Sequence, residues 1–147
     1  DTTNPFDVLA LLTRNAGDLA RLAEGLTDTE LNARPDGVDW SIRDHIAHFA
    51  DTQDMLDTRV DLMLRYDEPE LRSLAPYAFA MDAARRPASA AELLATFRER
   101  RQRCVGRLES LPLKDLWRAG RHPDFGRITI LRQAAYIAPS AYGLPLP

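Results

Sequence analysis

Trp40 to Asp54 reads WSIRDHIAHFADTQD, and this stretch sets the frame for the rest of the chain. Ser41 followed by Asp44 has the form of an N-cap with an acidic N3 residue, which starts a helix and places a negative charge near its positive end. Trp40 stands at the N′ position, where it can pack back on the helix as a hydrophobic staple. Two of the three histidines follow at once, His45 and His48. With no proline or glycine before Pro69, the pattern predicts a helix over 41–66. At about 100° per residue it carries two seams. One runs through Ile42, Ile46, Phe49, Leu56, Val60 and Met63, the other through His48, Met55, Arg59 and Leu62. A helix with two seams touches two neighbours. His45 lies on the flank of the first seam, while His48 falls on the second and faces the space between helices where bundles build cofactor sites. For each the competing reading is a packed or hydrogen-bonded histidine.

Upstream, Asn4 and Pro5 open a helix predicted over 5–26, with Phe6, Leu9, Leu12, Ala16, Leu19, Leu22, Ala23 and Leu26 at helical spacing. Thr27 with Glu30 forms a second capping box for a short helical turn, which Pro35, Asp36 and Gly37 end. Downstream, the pattern loosens from Glu70 to Pro87, with a helical turn expected near Tyr77 to Ala84. So long a connection crosses one end of a bundle and lets the next helix run parallel to the previous one. Ser89 with Glu92 is a third capping box, opening a helix over 89–110 that stops before Pro112. Cys104 lies on its apolar stripe and reads as a buried, inert thiol. Leu113 to Trp117 can form another short turn, and Gly120 to Arg127 reads as a turn-rich loop. Within it His122 precedes proline, which forces an extended backbone and presents the ring to solvent or a cleft mouth. Thr129 caps a fourth helix predicted over 128–138. That helix then stops, because Pro139, Gly143, Pro145 and Pro147 oppose its continuation through the tail 139–147.

The predicted fold class is therefore all-α, a four-helix bundle in a single domain spanning 1–147. Composition agrees, with 45% hydrophobic and 28% charged residues over 147 positions. A net charge of −3 opposes a nucleic-acid surface. Arg98, Arg100, Arg101, Arg103 and Arg107 do cluster, and they read as a solvated helix face. The single cysteine and the lack of a membrane-length apolar run or leader pattern predict a soluble, cytoplasmic protein with no membrane partner. No phosphate loop, Cys-x-x-Cys pair or nucleophile elbow is present.

Three strings, LTDTELNARP at 26–35, WSIRDHIAHFADTQ at 40–53 and GRHPDFGRITI at 120–130, resemble the corresponding segments of the DinB-like superfamily. The resemblance covers Phe6 to Ile137. It implies a four-helix bundle in up-down-down-up order, commonly a homodimer, holding a divalent metal, usually zinc or nickel. It also implies kinship with thiol-dependent transferases and isomerases that use mycothiol or bacillithiol. The family's metal ligands are one histidine on the second helix and two, spaced i and i+4, on the fourth. Carried across, the first falls on His48. The other two do not carry over, since Ser140, Ala141 and Leu144 stand where the family has a histidine-aspartate pair and a second histidine, and Tyr136 stands where many members have another. Neither serine nor leucine replaces an imidazole on zinc or nickel. His45 and His122 are the remaining candidate contributors, with Asp51 or Asp54 as carboxylates.

Two functions follow from the resemblance. One is a metal-dependent hydrolase or thiol transferase acting on an unidentified small molecule. The other is a dimeric binding or interaction module with a degenerate site, binding zinc or nickel weakly or not at all.

Overall fold

A computed structural model of the chain describes residues 3–37, 40–72 and 88–138. Helix α1 (Pro5–Glu24) is followed by the short α2 (Asp28–Asn32), the long α3 (Ile42–Arg65) and α4 (Ala90–Ser110). A 3-10 turn (Leu113–Trp117) leads into a hairpin of β1 (Ala119–His122) and β2 (Gly126–Thr129), and α5 (Ile130–Ile137) follows directly. The expected turn near Tyr77 to Ala84 and the tail 139–147 lie outside the described residues.

Helix starts follow the caps in the sequence. Thr27 with Glu30, Ser41 with Asp44 and Ser89 with Glu92 each close both bonds of a capping box, and Asn4 and Thr129 cap α1 and α5 through their side chains. Burial pushes the Asp44 carboxyl up, but the Ser41 amide, the Arg34 guanidinium and the Ser41 hydroxyl together outweigh it and hold the group below the ordinary carboxylate range. The cap of α3 is thus a charged, buried lock.

Cross-helix contacts give the order. Asp54 pairs with Arg100 and Asp61 with Arg107, so α3 and α4 advance in the same direction. Ala23 shares a buried cluster with Ala90 and Leu93, Ala16 shares one with Phe97, and Arg101 donates to the Leu12 carbonyl, so α4 runs against α1. Ile130 at the start of α5 binds the Arg118 carbonyl, Arg118 binds Met63 near the end of α3, and Gln133 meets Arg59 further back. Helix α5 therefore returns along α3, and the order is up, down, down, up.

The main core joins α1, α3, α4 and α5. Leu12, Leu56, Met63, Ile130 and Ile137 are at most 1% exposed. Burial of side chains of this kind stabilises by about 1.5–3 kcal/mol each, before the entropy of ordering them is subtracted. Three stripe residues fall off the core: Phe6 is 74% exposed, Leu22 68% and Ile42 39%. Each sits in a terminal turn or on the flank of its stripe, where the neighbouring helix no longer reaches it.

The expected loop at Gly120 to Arg127 is instead an antiparallel hairpin, pairing Ala119 with Thr129 and His122 with Gly126. Gly126 has φ +69°, which suits glycine at the turn's exit. Leu71 from the connection after α3 bonds to Arg121 and lies against Gly120, where an added Cβ would come within 2.7–2.9 Å of its side chain. Among the described residues the sheet has two strands, and the bundle remains the architecture. No helix among the described residues is long and apolar enough to cross a membrane.

Candidate functional site

The first candidate site is the N-terminal end of α3. Trp40 packs against His45, with ring centroids 5.2 Å apart and planes tilted by 52°, as a residue at N′ does on one at N4. The same indole meets His48 edge-on at 5.4 Å. Phe49 completes the aromatic group, lying 6.5 Å from His45 and 6.2 Å from His48. Both imidazoles are half-buried. Burial holds the pKa of His48 below its ordinary value, with the charge of His45 acting the same way and Asp51 opposing. A lowered pKa keeps the ring neutral at pH 7 with a lone pair to offer.

His122 is elsewhere. The sequence places its ring at solvent or at a cleft mouth, yet the residue is only 6% exposed. Its Nδ1 accepts the backbone N–H of Asp124 (3.1 Å) and of Phe125 (3.4 Å), which closes the hairpin turn. Phe125 packs against it, ring centroids 4.8 Å apart and planes tilted by 39°. Two N–H groups directed at Nδ1 require that nitrogen to be unprotonated. Burial and the nearby charge of Arg59 lower its pKa, against the pull of Asp124. Arg59 donates to the Arg72 carbonyl, and the adjoining Leu71 N–H binds the Arg121 carbonyl next to His122, so His122 lies at the level of Arg59, about 16 Å further along α3 than His48 at 1.5 Å per residue.

The chain has three histidines and all are described. The fold brings His45 and His48 together and puts His122 at another level, so one chain does not gather three imidazoles around a metal. Asp54 is engaged with Arg100 at 2.6 Å. Among the described residues no three His, Cys, Asp or Glu side chains form a group able to hold a metal ion. The described residues therefore do not fit a three-ligand metal centre.

A second set of polar side chains lies in the core between the helices. Arg101, only 3% exposed, donates from Nε to Gln53 (2.6 Å) and from Nη1 to the Leu12 carbonyl (3.1 Å), with its guanidinium 4.9 Å from the Phe97 ring centre. Gln53 passes the contact on, donating to Asp57 at 3.2 Å. Burial raises the pKa of Asp57 and pushes the Cys104 thiol beside it up to about 12. Cys104 is thus a neutral, enclosed thiol. Arg59 donates to Gln133 at 2.6 Å, tying α3 to α5. Asn15 donates to the Ala138 carbonyl, while its own Oδ1 finds no partner among the described residues.

The solvated face expected for the arginine cluster is corrected at Arg101. The signal was present, since Phe97, Arg101, Cys104 and Leu108 follow i, i+4, i+7, i+11 and place the arginine on the apolar stripe. Gln53 interrupts the stripe of α3 in the same way, between Phe49 and Leu56. A polar residue in register with a stripe is a buried polar residue until its partner is found.

Comparison with known proteins adds the family. No curated protein sequence matches the chain. Among solved structures it is similar to YfiT from Bacillus subtilis, described as a probable metal-dependent hydrolase with an unusual four-helix bundle topology. The TM-score is 0.79 at 22% identity, over 95% of this chain and 81% of that one. At that identity the likeness shows the fold. The model of the DinB superfamily matches residues 11–138, most of the chain and every long helix of the bundle, and the chain belongs to that superfamily.

Proposed function

We propose that this DinB-type bundle meets divalent metal through His48 alone, at a site degenerate relative to the three-histidine centre that the resemblance implies. The observation that supports this reading is the position of His122, with Nδ1 committed to the hairpin turn and the ring at the level of Arg59. The tail 139–147 contains no histidine, cysteine, aspartate or glutamate, so it adds no strong zinc or nickel ligand. A hydrolase of the kind named for YfiT, or a thiol transferase of the kind the resemblance implies, would need a metal held firmly enough to polarise a carbonyl or activate water. One imidazole does not hold it so. The protein then works as a binding or interaction module built on the family's bundle.

The test is elemental analysis of protein purified without a histidine tag, followed by zinc and nickel titration of the natural chain and of His48→Ala. Weak binding that His48→Ala removes is the expected result. Tight stoichiometric binding lost in His48→Ala would overturn the degeneracy, and tight binding unchanged by it would overturn the assignment of His48.

The module reading includes a two-fold homodimer burying more than about 1,000 Å² in total. The family resemblance supports this part of the reading, and Leu22 and Phe125, 68% and 56% exposed, are apolar side chains a partner copy could cover. A monomeric mass by light scattering at high micromolar concentration would count decisively against it.

A further inference from the structure

Helices α1 and α4 lie side by side, yet a cleft of about 620 Å³ opens between them. Its walls carry Ala16 and Gly17 from α1 and Gly106 from α4. Glycine is a poor helix former, and inside a helix it is usually explained by another part of the protein pressing on the backbone. That explanation fails here. A Cβ added at Gly106 would meet nothing within 4 Å, and at Gly17 it would make an ordinary 3.5 Å contact with Arg21. The two glycines hold open a space that no described protein atom fills.

The buried Arg101 lines this cleft. Its Nε and Nη1 are bound to Gln53 and Leu12, while among the described residues its Nη2 makes no hydrogen bond and its guanidinium makes no ion pair. The nearest carboxylate influence is Asp57, reached through the Gln53 amide. Arg98 lines the same end. Past Thr13 and Glu109, which border both spaces, the cleft continues into a second of about 650 Å³ walled by Phe6, Leu9, Leu113 and Leu116. Of the charged residues there, Arg14 and Glu109 are of opposite sign, so the apolar half has no net preference for an anion. One end offers an incompletely bonded cation and the other an apolar trough, with α4 rising about 14 Å from Arg101 to its end at Ser110.

We infer that the groove between α1 and α4 is a binding site for a medium-chain aliphatic carboxylate, its head on Arg101 and Arg98 and its chain laid toward Leu9, Leu113 and Leu116. Arginine presents a planar fork that accepts a carboxylate with two parallel bonds, and an apolar cleft with a few placed polar groups is the usual form of a small-molecule site. The site is separate from His48 and does not depend on metal.

The probe is decanoate below its micelle concentration, titrated by calorimetry and followed by backbone amide NMR. Saturable one-to-one binding is expected, with shifts confined to α1, α4 and the 3-10 turn, and with decyltrimethylammonium failing to bind. A Cβ at Gly106 meets nothing within 4 Å and the groove lies open beyond it, so Gly106→Leu, which also improves the helix, should weaken decanoate about tenfold or more while leaving the melting temperature undiminished. Arg101→Met should lose the preference for decanoate over decanol. Because that change also removes two core hydrogen bonds, Gly106→Leu is the deciding variant. Equal binding of decanoate and decyltrimethylammonium, or decanoate binding unchanged by Gly106→Leu, would overturn the assignment. So would an absence of decanoate binding together with a Gly106→Leu protein that halves in mass, since the groove would then be a face between copies of this chain.

Discussion

The histidines and the buried arginine differ in how openly the sequence announces them. His45 and His48 are visible because they follow an N-cap at one-turn spacing. Arg101 is hidden because four other arginines surround it, and only its register with Phe97, Cys104 and Leu108 separates it from them. His122 was misplaced because proline dictates the backbone of its predecessor but says nothing about burial of the ring. Two of these groups should govern stability against acid. The native pKa values of His48 and His122 lie below the ordinary 6.5, chiefly through burial. As pH falls past 6.5 the unfolded chain takes up protons that the native state refuses, so stability is full above that pH and is lost on the way down toward the native values. His122→Asn keeps an acceptor for the Asp124 and Phe125 amides and removes the titration. Urea midpoints measured at pH 7.5 and 5.5 should therefore fall less in His122→Asn than in the natural chain. An equal fall would show that His122 is solvated in both states.

Element boundaries were legible wherever a side chain closes on its own backbone. The Ser41 box fixed the start of α3, and Ser41→Ala should cost about 1 kcal/mol, within the range of 0.5–2 found for such caps. The hairpin was not legible, because strands as short as Ala119–His122 and Gly126–Thr129 show too little alternation and Pro123 to Gly126 reads as turn in either case. What holds the hairpin is tertiary. Leu71 is 3% exposed and packs on Gly120, a contact between residues far apart in the chain. Gly120→Ala should then overpack this point and cost about 1–3 kcal/mol. In a Leu71→Ala background the same change should become close to neutral, because the clashing atoms are gone. Urea denaturation of the four proteins measures this coupling. Simple additivity would mean that Gly120 is needed for its backbone alone.

At the scale of the molecule, the long connection after α3 announced the bundle order, since it frees α4 to run parallel to α3, as the Asp54–Arg100 and Asp61–Arg107 pairs require. Those pairs are partly exposed and each contributes little to stability, so they report the direction of the helices more than they enforce it. The missing metal ligands are a question of the same scale. Helix α5 runs back along α3, with Gln133 opposite Arg59 and the Ala138 carbonyl held by Asn15 of α1. An ideal helix continued in that register would climb toward the level of His48 over the next two turns, which in sequence are Pro139 to Leu144. Proline in a helix interior costs about 3 kcal/mol and glycine about 1 relative to alanine, so Pro139 and Gly143 oppose that continuation. Restoring ligands without restoring the helix should then achieve little. Ser140→His with Leu144→His alone is expected to bind zinc weakly. The same pair combined with Pro139→Ala and Gly143→Ala should bind it at least about a hundredfold more tightly, because roughly 4 kcal/mol of helix penalty is removed and part of it becomes binding. Adding His48→Ala to the fourfold variant should abolish the gain. Tight zinc binding by the double variant, or a fourfold variant indifferent to His48, would show that the metal position is not set by the bundle in this way.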